Sequence, residues 1–257
     1  MLINTKIIYA ALEKITFGKG LSKKVSGVKV KLPAKYIRYF PADYEADNFT
    51  FLKESIKPNA VLLDIGAHIG LFSIIAAKLA GSGAKIFAFE PAPSAQKVLN
   101  QTIAINHLQK TITAVNAAMG CAPGNITFFV SDNEADNSNS LVRYKEDRKL
   151  HGISVQVDTI DHFAATQNLT QIDFIKIDVE GAEYDTLRGG TTVFKTLRPN
   201  FILAIHPEPI AKKGDKLQDI YELLQQLNYS IEYKGLPLSK ENFCANKELI
   251  DLHLRPL

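Results

Sequence analysis

Residues 61–73, VLLDIGAHIGLFS, run as an apolar strand to Asp64, pass glycines at 66 and 70, and enter an apolar helix directly. A strand that turns through glycines into a helix is the opening unit of a parallel α/β sheet. The glycines let a ligand approach the backbone, and the helix N-terminus offers free N–H groups to an anion. The dinucleotide fingerprint G-x-G-x-x-G does not fit, because the spacing differs and His68 stands where a second close glycine belongs.

Asp64 separates the remaining ligands. A carboxylate at the strand tip repels a pyrophosphate but suits an ammonium or sulfonium group. S-adenosyl-L-methionine has both, with a carboxylate for the helix N-terminus. Glu90 closes the next strand, KIFAFE, 26 positions after Asp64 and 20 after Gly70. That spacing places a carboxylate beside ribose hydroxyls.

Outward from this unit, strand and helix alternate: AVLLDIG, LFSIIAAKLA, AKIFAFE, PSAQKVLNQTIAINH, TITAVNAA. The alternation predicts a doubly wound parallel sheet. After two further strands, GNITFFVS and ISVQVDTI, comes IDFIKIDVEGAE, residues 172–183. Its apolar run reads as a buried parallel strand. Phe174, Lys176 and Asp178 share one face, and Asp178, Glu180 and Glu183 crowd the C-terminal end. An unpaired buried ammonium is costly, so Lys176 is expected to pair with an acid. Glu183 fits the start of the next helix. Then follow a helix from about Tyr184 to Arg188, the strand NFILAIH, the helix DKLQDIYELLQQLN and two strands, YSIEYKG and ELIDLHLRP. The last two read as an antiparallel hairpin on the sheet edge.

LLDIGAHIGLFSIIAA, FAFEPAPSAQKVLNQTIAIN, VNAAMG and IDFIKIDVEGAEYDTLRGG resemble the FkbM family of S-adenosyl-methionine-dependent methyltransferases, from about Val61 to His206. The resemblance implies the Rossmann-like class I methyltransferase fold, a doubly wound seven-stranded, mainly parallel sheet with an antiparallel last strand. It implies that Asp64, Gly66, Ala67 and Gly70 line the methionine part of the cofactor. Glu90, with Pro91 beside it, would meet the ribose, and Asn116, Ala117 and Ala118 the adenine through backbone groups. Asp178 would stand near the reactive methyl. Members generally methylate hydroxyl oxygens on sugars, polysaccharides or other natural products. In the pattern resembled, the fifth strand ends in Glu-x-His, whereas here Ala204 precedes a retained His206. Glu208 is a candidate to compensate.

Catalysis is assigned to Asp178, Glu180 and His206, with Asp178 or His206 as base and Glu180 orienting the acceptor. The alternatives are helix capping by Asp178 and Glu180 and a structural role for His206. A divalent ion on Asp178, Glu180 and His206 is possible, but no metal site is predicted. Two other functions stay open: a non-catalytic cofactor-binding module, and a nicotinamide-dependent oxidoreductase, which lacks the fingerprint spacing.

The remaining sequence bounds partners and organisation. With 46% hydrophobic and 22% charged residues among 257, the composition is that of a globular chain with a sizeable core. A formal charge of +3 argues for neither nucleic acid nor an acidic membrane. Cys121 and Cys244 form no framework or CxxC site. No apolar run reaches a membrane span of ~18 residues, and the N-terminus lacks a secretory signal, so a cytoplasmic location is expected. Small-molecule or glycan acceptors are the expected partners, with a homo-oligomer possible.

Residues 1–58 read as an extension capping the core: a helix with Ile3, Ile7, Ile8, Ala11, Leu12 and Ile15 on one face, short strands VSGVKVKLP and KYIRYF, and a helix EADNFTFLKESI. The first helix packs on the core or lies on a membrane or partner. Residues 59–257 are the cofactor-binding domain. The polar stretch 132–151 is a lid or a plain surface loop. A calcium loop fails there, because Asn137 replaces the required glycine and Arg143 the bidentate glutamate.

Overall fold

The computed structural model describes residues 15–16, 18–131 and 150–257. The helical reading of the first residues falls almost wholly outside them, as does the lid reading of 132–151, except that Leu150 and His151 already belong to a strand.

Strands β1 (Leu21–Val25) and β2 (Val28–Leu32) form an antiparallel hairpin with Leu21 opposite Leu32. The KYIRYF segment, expected as a strand, is instead a 3-10 helix, Ala34–Tyr39. The Tyr36 amide donates to the Pro33 carbonyl at 2.9 Å, and the tight turn that results buries Ala34 and Tyr36 together. Helix α1 (Ala46–Ser55) follows and buries Phe49, Phe51 and Leu52.

The core alternates as expected: β3 (Val61–Ile65), α2 (Leu71–Ala80), β4 (Lys85–Phe89), α3 (Pro93–Ile105) and β5 (Ile112–Val115). A small sheet interrupts it, β6 (Ala118–Met119), β7 (Gly124–Ser131) and β8 (Leu150–Asp158), in the order β6-β8-β7. The chain returns through α4 (Ile160–Thr166) to β9 (Phe174–Ile177), then α5 (Glu183–Arg188), α6 (Thr191–Thr196) and β10 (Asn200–Ile205). It ends with α7 (Pro207–Lys213), α8 (Leu217–Gln226), β11 (Tyr229–Tyr233), β12 (Leu236–Pro237), α9 (Lys240–Ala245) and β13 (Ile250–Pro256).

The main sheet has the order β12-β11-β13-β10-β9-β3-β4-β5. Strands β3, β4, β5, β9 and β10 are mutually parallel, and β13 runs antiparallel to both β10 and β11. The expected seven strands are therefore present with their antiparallel last member, plus the two-residue β12 on the edge. The terminal pair is not an edge hairpin, because β12 and α9 intervene and β13 inserts between β10 and β11. Burial explains this: Ile250, Leu252, His253 and Leu254 are buried, so β13 needs cover on both faces.

Phe194, Phe201, Leu224 and Tyr229 pack on one face of the sheet, and Phe49, Phe72, Leu99 and Phe174 on the other. Burial of each such side chain contributes about 1.5–3 kcal/mol. From β3 the chain winds outward to β5 and then returns to the other side at β9. The crevice at the C-terminal ends of β3 and β9 is thus the switch point, where open α/β sheets bind ligands.

Candidate functional site

The ends of β3, β4, β9 and β10 open onto a cavity of about 510 Å³. Its floor is the turn after β3. Gly66 has φ +84°, and a Cβ there would overlap the Asp178 carbonyl oxygen. Asp178 N donates to Ile65 O at 2.9 Å, while Gly66 N and Ala67 N both donate to Phe89 O at 3.0 and 2.9 Å. Three strand ends are thereby locked around a residue that must be glycine. Gly70, at φ +86°, caps α2, and a Cβ there would run into Leu99 Cδ1.

Glu90 lines the cavity and is 6% exposed. Its Oε2 accepts from His68 N and its Oε1 from Ala92 N, both at 2.9 Å. Burial pushes the carboxyl up to about 7, although the two amides hold it back. Asn116 Nδ2 donates to the carbonyls of Glu90 and Pro91 at 2.9 and 3.2 Å, so its side chain fixes the main chain at the end of β4. Pro91, Ala117 and Ala118 form the adjoining wall.

Asp64 stands behind the cavity rather than among its lining residues. It is fully buried, accepts from Ser73 Oγ at 2.5 Å, and its Oδ1 has no hydrogen-bond partner among the described residues. Burial raises its pKa against the opposing field of Lys176, its neighbour across the β3–β9 ladder.

Lys176 does pair with an acid, its Nζ lying 2.7 Å from Asp178 Oδ2. Burial pushes the Asp178 carboxyl up, but Lys176 and His206 outweigh it and leave the group below its ordinary range. The same fields from Asp178, Glu45 and Asp64 raise Lys176 despite its burial. His206 follows β10; its Nε2 is 3.6 Å from Asp178 Oδ1 and its Nδ1 is 2.7 Å from Glu183 Oε1. Burial alone would lower the imidazole, yet Glu183 and Asp178 raise it to about 9. Glu180 lines the cavity with φ +43°, a conformation uncommon outside glycine. The structure therefore gathers Asp178, Glu180, His206, Glu90, Gly66 and Ala67 around one cavity.

Several residues of the site act in ways the sequence reading missed. Glu183 begins α5, but it is fully buried and its Oε1 serves His206. Nothing in GAE separates these roles. Glu208 does not replace an acid at 204, since it is exposed on α7 and pairs with Lys212 at 3.1 Å. Asp251, directly opposite Ala204 on β13, lines the cavity instead. Tyr44 and Glu45 close the far wall. Burial raises the Tyr44 phenol, and Glu45 adds to the effect. Periodicity cannot reveal these residues, because they arrive from segments distant in the chain.

Among the described residues no group of three or more His, Cys, Asp or Glu side chains could hold a metal ion, and no helix is long and apolar enough to cross a membrane.

A family model, the methyltransferase FkbM domain, matches residues 64–231. Methyltransferase sdnD of Sordaria araneosa is 29% identical over 161 residues, 52% of this chain and 62% of that protein. The hexuronic acid methyltransferase AglP of Haloferax volcanii is 26% identical over 195 residues, 75% of this chain and 72% of that protein. The 2-O-methyltransferase NoeI of Sinorhizobium fredii is 29% identical over 153 residues, covering 54% and 61%. The matched regions thus span about three fifths of sdnD and NoeI. A putative rRNA-methylase from Clostridium thermocellum shares the fold, with a TM-score of 0.50 at 10% identity over 81% of this chain and 93% of that one.

Proposed function

This chain belongs to the FkbM methyltransferase family, and on that premise we propose that it transfers a methyl group from S-adenosyl-L-methionine to a hydroxyl of a sugar or other polyhydroxylated natural product. The observation that carries the reading is the meeting of buried Glu90 with Asp178 and His206 across one cavity under the Gly66 turn. A volume of about 510 Å³ lies within the range of small-ligand sites. The residues fit the cofactor. Glu90 is a carboxylate presented to the cavity by two amides, suited to a ribose diol, and the Gly66 turn admits a close backbone approach. The relatives named for a hexuronic acid and for 2-O-methylation support a sugar hydroxyl as acceptor.

The cofactor, when bound, supplies an electrophilic methyl on a sulfonium. The protein must aim an oxygen at that methyl and take up the hydroxyl proton; alignment of this kind can contribute about 7–11 kcal/mol. Neutral His206 Nε2 takes the single proton of the acceptor hydroxyl as the oxygen bonds to the methyl, while Glu183 fixes the ring through Nδ1. Asp178 Oδ2 is held by Lys176, which leaves Oδ1, 3.6 Å from Nε2, to stabilise the imidazolium so formed. Glu180 orients the acceptor from the same strand end. Within the extension 1–58, Phe40, Tyr44 and Glu45 cap this site, and residues 59–257 form the cofactor-binding domain.

The test is transfer of labelled methyl from S-adenosyl-L-methionine to a panel of methyl glycosides. A label that resists alkaline hydrolysis is expected for an ether. Turnover of NAD, or cofactor binding without transfer to any hydroxylated acceptor, would contradict the proposal.

A further inference from the structure

A groove of about 300 Å³ adjoins the cavity and shares Glu45, Leu249 and Asp251 with it. Asp251 stands at this junction with its direction fixed. Its Oδ2 accepts from Asn48 Nδ2 at 2.9 Å, and Asn48, 2% exposed, is held in turn by His253 Nε2 at 2.9 Å. The His253 ring stacks on Phe51 with centroids 4.4 Å apart. A carboxylate braced this way on one oxygen presents the other to a ligand without a large ordering cost.

Charge in the groove is one-sided. Asp43, Glu45 and Asp47 line it against one cation, Lys234, which lies 5.1 Å over the Tyr233 ring; burial and the fields of Glu45 and Asp178 raise the Asp251 carboxyl, which serves as a hydrogen-bonding group rather than as part of the charge. Burial lowers the pKa of His253, so the imidazole adds no positive charge at neutral pH. In the cavity itself Lys176 is already committed to Asp178.

We propose that this groove is a second acceptor subsite, in which Asp251 hydrogen-bonds an acceptor that spans both spaces and the neighbouring acids select an uncharged polyhydroxylated unit over a carboxylated one. The assignment rests on reading the cavity as the methyl-transfer site. It extends the acceptor to at least two linked units and gives the acids of α1 and its leading turn a role in specificity.

The test uses the full chain with S-adenosylhomocysteine present. Binding of methyl cellobioside and of the same disaccharide carrying a C6 carboxylate on its distal unit is followed by saturation-transfer NMR titration. The uncharged disaccharide should bind about tenfold more tightly at low salt, and the gap should shrink as salt screens the acids. Asp43→Lys, which changes only the groove, should cut that ratio to about threefold or less. Asp251→Asn, which keeps an acceptor for Asn48, should weaken the uncharged disaccharide by about tenfold. Equal or tighter binding of the carboxylated sugar, an unchanged ratio in Asp43→Lys, or no disaccharide binding by protein that binds S-adenosylhomocysteine would overturn the proposal. Failure to bind S-adenosylhomocysteine, with the disaccharide preference intact, would overturn the methyl-transfer reading alone.

Discussion

Nδ1 of His206 lies 2.7 Å from Oε1 of Glu183, a carboxylate wholly shut off from solvent at the first turn of α5. The contact raises the imidazole to about 9 and leaves Nε2 directed to Asp178. The fold binds this proton more tightly than the unfolded chain does. Its stabilisation is therefore complete below 6.5, the ordinary value, and is lost as pH rises through about 9. Glu183→Gln should bring the His206 pKa down by at least about one unit and flatten stability between those limits. An NMR titration of the imidazole, with denaturant unfolding at pH 6 and 9, checks both.

If neutral His206 accepts the hydroxyl proton, kcat/KM should climb with pH up to about 9. Were Asp178 the base instead, its depressed pKa would make the profile level far into the acid range. His206→Gln should lower kcat by roughly 10²–10⁴-fold and remove the alkaline climb.

Glu90 titrates above the range of an ordinary exposed carboxylate. Its pKa of about 7 exceeds the usual 4.5, so its contribution to stability is present below 4.5 and lost as pH rises through 7. If Glu90 meets the ribose as proposed, its ionised form is the one that accepts from both diol hydroxyls. Affinity for S-adenosylhomocysteine should consequently strengthen between pH 6 and 8. Glu90→Gln should abolish that trend in calorimetric titrations.

Gly66→Ala tests the floor of the site. The added Cβ would overlap Asp178 O, and φ +84° is a conformation that residues with a side chain rarely adopt. A loss of about 2–4 kcal/mol is expected by chemical denaturation, together with loss of cofactor binding. Ala67→Gly, one position on, should cost about 1 kcal/mol at most.

Lys176→Met leaves the half-buried Asp178 charge with only the longer His206 contact to compensate it. Stability should fall by roughly 3 kcal/mol, and the Asp178 pKa should rise. Adding Asp178→Asn to Lys176→Met should recover part of the loss, since no orphaned charge remains. A double-mutant cycle in urea measures the coupling.

Much of this was legible in the sequence because it is local. The apolar run to Asp64, the two glycines and Glu90 closing the next strand define a β-α-β unit by spacing alone, and the alternation beyond it predicts the doubly wound parallel sheet; its Rossmann-like class I methyltransferase form followed from the family resemblance. Lys176 beside Asp178 announced its own partner, because buried ammonium demands one. What escaped was non-local. Asp251 meets the cavity only because β13 inserts beside β10, a pairing that places it opposite Ala204. KYIRYF carries β-formers, yet Pro33 and a buried Tyr36 favour a 3-10 turn. Glu183 looked like a helix-start acid until His206 was brought to it from 23 residues away.

Calorimetric titration of S-adenosylhomocysteine into the full chain at pH 8, alongside Glu90→Ala, addresses the cofactor assignment at its root. Saturable one-site binding that weakens by at least about tenfold in Glu90→Ala is the predicted result. Absence of binding by the folded parent protein, or equal affinity in both proteins, would contradict it.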